Sequence, residues 1–299
     1  MDDVGSAAEA FRRAVSAIHS GELGALHQLL AQHPALACDR LEGSPSWLRA
    51  EVGDAVDGFF QRPYLLWFVA EDPVRRGSLP SNIVAIASLI IETARQHSAP
   101  DLQQLLDYAL QLVAISWIAR ECGVQIDLID VLARAGASLA GTPDHALTNG
   151  NFAAAEHLVA LGAPLTLSTA LCLGRWNDAA RLAAHADPRT KQFSLVLAAL
   201  RGLPDAVKRS LDLGADANRP SDDLYSHATP LHHAVGSGVL SAVAALVEAG
   251  AKLNVRDKAW RGTPLDWSQH YLEQYRGDPR STPYTEISAY LRKAGAKGL

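Results

Sequence analysis

Apolar positions along this chain fall in short helical blocks, and block after block stops at the pair Gly-Ala. The pattern reads VLARAGASL (131–139), HLVALGAPL (157–165), SLDLGADAN (210–218), ALVEAGAKLN (245–254) and YLRKAGAKG (290–298). The glycines stand at 136, 162, 214, 250 and 295, so the steps are 26, 52, 36 and 45 residues. Because 52 is twice 26, a block lacking its glycine is expected between 162 and 214. Residues 177–187, NDAARLAAHAD, fill that place, with His185 where the glycine would stand. A helix that must stop and turn needs a residue at positive φ after its last turn, and glycine adopts that conformation without a Cβ clash.

A second, shorter helix is expected ahead of each block, opened by Thr-Pro or a similar pair. ATPLHHAVGSG (228–238), GTPLDWSQHY (262–271) and the degraded GTPDHALTNGN (141–151) show it. Threonine supplies an N-cap oxygen and proline suits the first helical turn. Each unit is therefore two antiparallel helices, too small to bury its apolar face alone, and stacking neighbours solves that problem.

The segment TPLHHAVGSGVLSAVAALVEAGAKLNVRD (229–257) resembles an ankyrin repeat: TPLH, an Ala, a Gly, a second helix, LVEAGA and a closing N-x-x-D. The resemblance implies an all-α ankyrin-repeat solenoid of about eight helix-pair units, at roughly 7–38, 63–96, 101–139, 142–165, 166–190, 191–218, 228–254 and 262–297. These form a single array over 1–299, with the 101–139 unit similar to a repeat of bacterial ankyrin proteins in which G-V-Q-I precedes the second helix. An ankyrin unit is usually about 33 residues, including a finger-like turn between helix pairs. Units four to six run at 26, so the middle is expected to be shortened, with fingers at 218–228 and 254–262. Long insertions lie at 40–62, between units one and two, and at 72–81, and a third at 275–285. Trp47 and Phe59 are expected to fold back over the first repeats.

Composition narrows the chemistry. Of 299 residues, 48% are hydrophobic and 20% charged, which excludes disorder as the main theme. The most apolar stretch, Ile83 to Ile91, spans nine residues, against roughly 20 for a bilayer crossing. The opening Met1-Asp2-Asp3 lacks the basic and apolar segments of a signal peptide. A cytoplasmic, monomeric protein without a membrane association is expected. The net charge of −5 advertises no nucleic-acid partner. Cys38, Cys122 and Cys172 are scattered, which suits a reducing compartment. The excess of Arg over Lys, 21 to 6, fits a GC-rich bacterial genome.

Candidate chemistry is sparse. His227, His232 and His233 are close in sequence with His270 one unit on, but the resemblance gives His232 a local role, bonding to the TPLH threonine. His233, adjacent on a helix, points about 100° away, so no metal is expected. No phosphate-binding or dinucleotide-binding glycine pattern occurs, no Gly-x-Ser-x-Gly occurs, and Cys122 and Cys172 read as buried or half-buried thiols. Asp54 with Asp57, and Glu71 with Asp72, read as a solvated acidic rim. No cofactor or catalytic residue is assigned; an enzyme is the minor reading.

The resemblance implies recognition by the residues that end each first helix and by the finger tips. Those carried over are Glu71 and Asp72, Arg201, Tyr225, Trp260, Arg261, His270 and Tyr271. Tyr, Trp and Arg are the types enriched at binding hot spots. The expectation is a non-catalytic protein–protein interaction scaffold, an adaptor or inhibitor, that holds a protein partner in its concave groove. Glu71 and Asp72 would favour a partner with a basic segment. The alternative is a central pocket for a small molecule or a reaction, walled by 40–62 and lined by Cys172, Leu173, Trp176, Leu200 and Arg201. Delivery into a host cell is a third reading the family permits.

Overall fold

The computed structural model describes residues 2–43, 45–58, 60–70 and 77–298, and every regular element among them is helical. The chain divides into two compact units, 1–164 and 165–299.

In the first unit α1 (Asp2–Ser20) and α2 (Leu23–Gln32) are followed by the short α3 (Ala35–Cys38) and α4 (Ser46–Val52). Two 3-10 turns come next, Gly53–Asp57 and Leu65–Ala70, then α5 (Ile83–Gln96), α6 (Leu102–Ile115), α7 (Trp117–Glu121), α8 (Gln125–Arg134), α9 (Thr142–Thr148) and α10 (Phe152–Ala160). Two rows result. Leu65–Ala70 packs on α6 and α6 on α9, while α5 packs on α8 and α8 on α10. The 40–62 segment is helical over α4 and Gly53–Asp57, and it buries Leu48, Val52, Val56 and Phe60. Phe60 meets Phe68 edge to face at 5.2 Å, and the Trp47 ring lies 6.3 Å from Phe11. Phe59 and the Asp72–Arg76 part of the 72–81 insertion lie outside the described residues.

The second unit comprises α11 (Leu167–Cys172), α12 (Trp176–Ala183), α13 (Pro188–Leu200), α14 (Pro204–Asp212), α15 (Pro230–Gly236), α16 (Leu240–Glu248), α17 (Pro264–Gln274) and α18 (Thr282–Lys293). Here α11, α13, α15 and α17 pack in one row, and α14, α16 and α18 in the other. Leu171, Leu195, Val207, Leu231, Val243, Leu246, Ile287 and Leu291 share one core across both rows. Short connections join α8 to α9 and α12 to α13, whereas 213–229 and 249–263 are long. The shortened middle is thus a property of the fold.

Local chemistry explains where these helices begin and end. Thr229 and His232 form a reciprocal capping box at α15, and Thr263 and Asp266 form one at α17. Proline occupies the first turn of both, where no N–H is needed. All five periodic glycines, from Gly136 to Gly295, have positive φ. Asn218 bridges to the next turn, accepting from the Lys252 amide at 2.7 Å, and Asn254 repeats the contact with the Lys297 amide at 2.7 Å.

Candidate functional site

The two long connections of the second unit lie side by side, because the Lys258 amide donates to the His227 carbonyl at 2.8 Å. The 254–262 finger is wound around one carboxylate. Asp257 Oδ1 accepts from the amides of Ala259 (2.8 Å) and Trp260 (2.6 Å), and Oδ2 from the Gly262 amide (2.9 Å) and the Trp267 indole (3.0 Å). Burial pulls the pKa of Asp257 up, but these donors outweigh it and hold the carboxyl below the usual carboxylate range. The finger tip is thereby fixed with Trp260 outward, 69% exposed, and with Arg261 beside it at φ 62°.

The 218–228 finger is tied from below. Gln192 donates to the carbonyls of Asp216 and Arg219 and accepts from the Asp216 amide, and Arg189 pairs with Asp223. Leu224 turns into the core, and Tyr225 is pushed outward at φ 46°, 50% exposed. A non-glycine residue in this conformation is strained, and such strain clusters at functional positions.

Between the fingers the rings form a continuous cluster. His227 meets Trp260 edge to face at 5.2 Å and stacks toward Trp267 at 6.2 Å, and Trp260 and Trp267 are 5.5 Å apart. Tyr225 lies 5.9 Å from His233, which in turn is 6.2 Å from Trp267. His232 is consumed locally: Nδ1 meets the Thr229 hydroxyl at 2.8 Å and Nε2 the Gly262 carbonyl at 3.1 Å. Burial lowers its pKa. His233 is 3% exposed, and its buried Nε2 has no hydrogen-bond partner. Burial, with His227 beside it, pushes its pKa down to about 4. Both rings are thus held neutral near pH 7. Among the described residues no three His, Cys, Asp or Glu side chains are placed to share a metal ion.

Tyr225, Trp260 and Arg261 converge on this face. Tyr271 does not share their setting. It is half-buried, stacked 4.8 Å from Tyr284 and 6.2 Å from Tyr275, within the packing of the last helix pair. Tyr284 donates to the Gly236 carbonyl at 3.1 Å, and burial pushes its pKa up to about 12. His270 is exposed beside Tyr271, with ring centroids 5.7 Å apart. Glu71 and Asp72 lie outside the described residues.

Arg201, at the end of α13, is half-buried. Burial lowers its pKa, against a smaller opposing influence from the Tyr225 phenol and the Cys172 thiol. Of the residues read as an alternative pocket, Cys172 is buried at 7% exposure, and Leu173, Leu200 and Arg201 are half-buried. Trp176 is on α12, with the Arg209 guanidinium 4.6 Å above its ring.

Two features were invisible in the sequence. His227 links the fingers through its backbone carbonyl and joins Trp260 to Trp267 through its ring, and only the fold brings these residues together. The first unit also carries an open cleft of about 750 Å³, lined in part by Phe11, His33, Arg40, Tyr64 and Asp101. There the Arg40 guanidinium covers the Tyr64 ring at 4.6 Å, and the Tyr64 hydroxyl donates to Asp101 at 3.0 Å.

Residues 226–258, the stretch holding both the TPLH helix and the Asp257 carboxylate, match the family model for the ankyrin repeat. Among curated proteins, the potassium channel KOR1 of Oryza sativa subsp. japonica is 40% identical over 72 residues, 24% of this chain and 8% of the channel. The potassium channel GORK of Arabidopsis thaliana is 42% identical over 66 residues, 22% of this chain and 8% of the channel. The chain therefore spans less than a tenth of the length of these relatives. Among solved structures, the human ASB11 ankyrin repeat domain aligns over 74% of this chain and all of its own, with 19% identity and a TM-score of 0.35.

Proposed function

We propose that this chain, which matches the ankyrin-repeat family model over 226–258, is a non-catalytic module whose second unit binds a protein partner. One observation carries the reading: Trp260 and Tyr225 stand 69% and 50% exposed on adjacent fingers that the Lys258–His227 backbone bond and the Asp257 carboxylate hold in place. An indole held outward by a buried carboxylate gains little for the fold, whereas burying it against a partner removes a large apolar area from water. The fingers are preorganised, so docking orders few side chains. In this unit His232 and His233 are held neutral by burial and the Cys172 thiol is buried; Cys122 of the first unit, expected to be buried or half-buried, is exposed. A cytoplasmic adaptor or inhibitor is the role that fits such a module.

The test is a pull-down from native lysate, read by mass spectrometry, with the wild type beside a Tyr225→Asn/Trp260→Ser variant. Asparagine tolerates positive φ, so the finger keeps its course. Tyr271 is left intact because of its stack with Tyr284. A stoichiometric protein lost with the variant is expected. A partner retained by the variant would place the interface elsewhere, and no specific partner with either bait would sink the reading.

A further inference from the structure

Arg201 holds a charge that the described residues leave uncompensated. Its Nε is buried without a hydrogen-bond partner, and among the described residues the side chain enters no ion pair. Of the unit's ten other arginines, five are paired, Arg181 with Asp178, Arg189 with Asp223, Arg219 with Asp222, Arg276 with Glu273 and Arg280 with Asp278, and the other five are exposed to solvent, whereas Arg201 is half-buried. Removing a guanidinium from water without an acceptor opposes folding. The groups acting on it are the Tyr225 phenol and the Cys172 thiol.

Its surroundings add a direction. Tyr225, the strained and half-exposed finger residue, acts electrostatically on Arg201, and its ring lies 5.9 Å from that of His233. His233 Nε2 is the second buried polar atom here without a partner. The wider field has the matching sign. Residues 165–299 hold 17 Lys and Arg against 13 Asp and Glu, and all six lysines of the chain; residues 1–164 hold 10 against 19.

We propose that Arg201 is the receptor for a carboxylate of the protein partner, so that an acidic segment docks beside Tyr225 and Trp260. This rests on the reading of the same face as a partner-binding surface. A planar guanidinium takes a carboxylate through two parallel hydrogen bonds, and the Arg201 side chain is only half-buried although its Nε is not exposed. A single such cation with aromatic neighbours suits one side-chain carboxylate; phosphate groups are met by clusters of cations. The positive balance of the unit draws an acidic segment toward the face and disfavours a basic one.

The experiment is selection of a displayed library of linear peptides on the full-length chain, followed by affinities of the selected peptides as synthetic probes. Selected peptides are expected to be enriched in Asp and Glu. Arg201→Gln should weaken them tenfold or more. Replacing the peptide's acid with its amide should weaken wild-type binding by a similar factor and leave Arg201→Gln binding nearly unchanged. Because no described residue pairs with Arg201, Arg201→Gln should melt at the same or a higher temperature; a lower one would assign it to the fold and overturn the proposal. Peptides lost with Tyr225→Asn/Trp260→Ser yet indifferent to Arg201→Gln would overturn it while leaving the binding face intact. No selected peptide at all would overturn both. Displacement by millimolar inorganic phosphate but not by acetate would replace the carboxylate with a phosphate-bearing partner.

Discussion

His233 is a neutral imidazole kept inside a ring cluster, and that makes it a titratable weak point. Its folded pKa of about 4 lies below the ordinary value of 6.5. Between these values the unfolded chain binds a proton that the folded chain refuses, so stability is full above pH 6.5 and falls as pH drops toward 4. The loss reaches about 3 kcal/mol by linkage. His232, also lowered by burial, acts in the same direction. The slope of melting temperature against pH from 6.5 to 4 should shrink in His233→Phe, and an unchanged slope would refute the assignment. Asp257 adds to the loss in acid: its held-down pKa contributes stability above about pH 4 that is lost as pH falls further. Asp257→Ala strands three amides and an indole, and should cost about 3 kcal/mol in urea denaturation. The part of this chemistry that could be read beforehand was the local part. Thr229 and His232 are three residues apart, so their reciprocal bonds follow from the tetrapeptide itself. The stacking of Tyr271 could not be read, since Tyr284 reaches it from another helix and is fixed by the carbonyl of Gly236, 48 residues away.

At the scale of the element, the periodic Gly-Ala stops were legible because a helix terminus has one cheap backbone solution, and positive φ at all five glycines shows that solution used. Gly202 carries a second demand that periodicity does not reveal. It has φ 63°, and an added Cβ would fall 2.5 Å from Val239 Cγ2 and 2.8 Å from Ser237 Oγ. The turn after α13 is thus pressed against the turn between α15 and α16. Gly214, at φ 91°, faces open space. Gly202→Ala should therefore cost about 3 kcal/mol or more, and Gly214→Ala only about 1–2 kcal/mol, from the backbone alone. Chemical denaturation of the pair measures the difference, and equal costs would mean that the turns are not in contact. The finger tips were only half legible for a related reason. The 218–228 and 254–262 segments stood out by length, but Leu224 faces the core while its neighbour Tyr225 faces solvent, and that alternation is set by the Gln192 and Arg189 contacts beneath the finger.

At the scale of the molecule, each of the two compact units has its own buried core, and the second draws Leu171, Leu195, Leu231, Val243, Leu246, Ile287 and Leu291 into a single cluster. In stacked repeats the stability of a unit resides largely in its interfaces with neighbours. Leu231 is fully buried on α15, which packs against both α13 and α17. Placing a carboxylate there leaves a charge that no partner can offset, at a cost of several kcal/mol, comparable with the whole stability of a domain. Leu231→Asp should therefore remove protection from amide hydrogen exchange across 165–299 as one event, with loss of the corresponding helical circular dichroism. Residues 1–164, whose core is built from other side chains, should retain theirs. Protection lost only within 228–254 would mean that neighbouring helix pairs are energetically independent. Protection lost along the entire chain would mean that the two units fold as one.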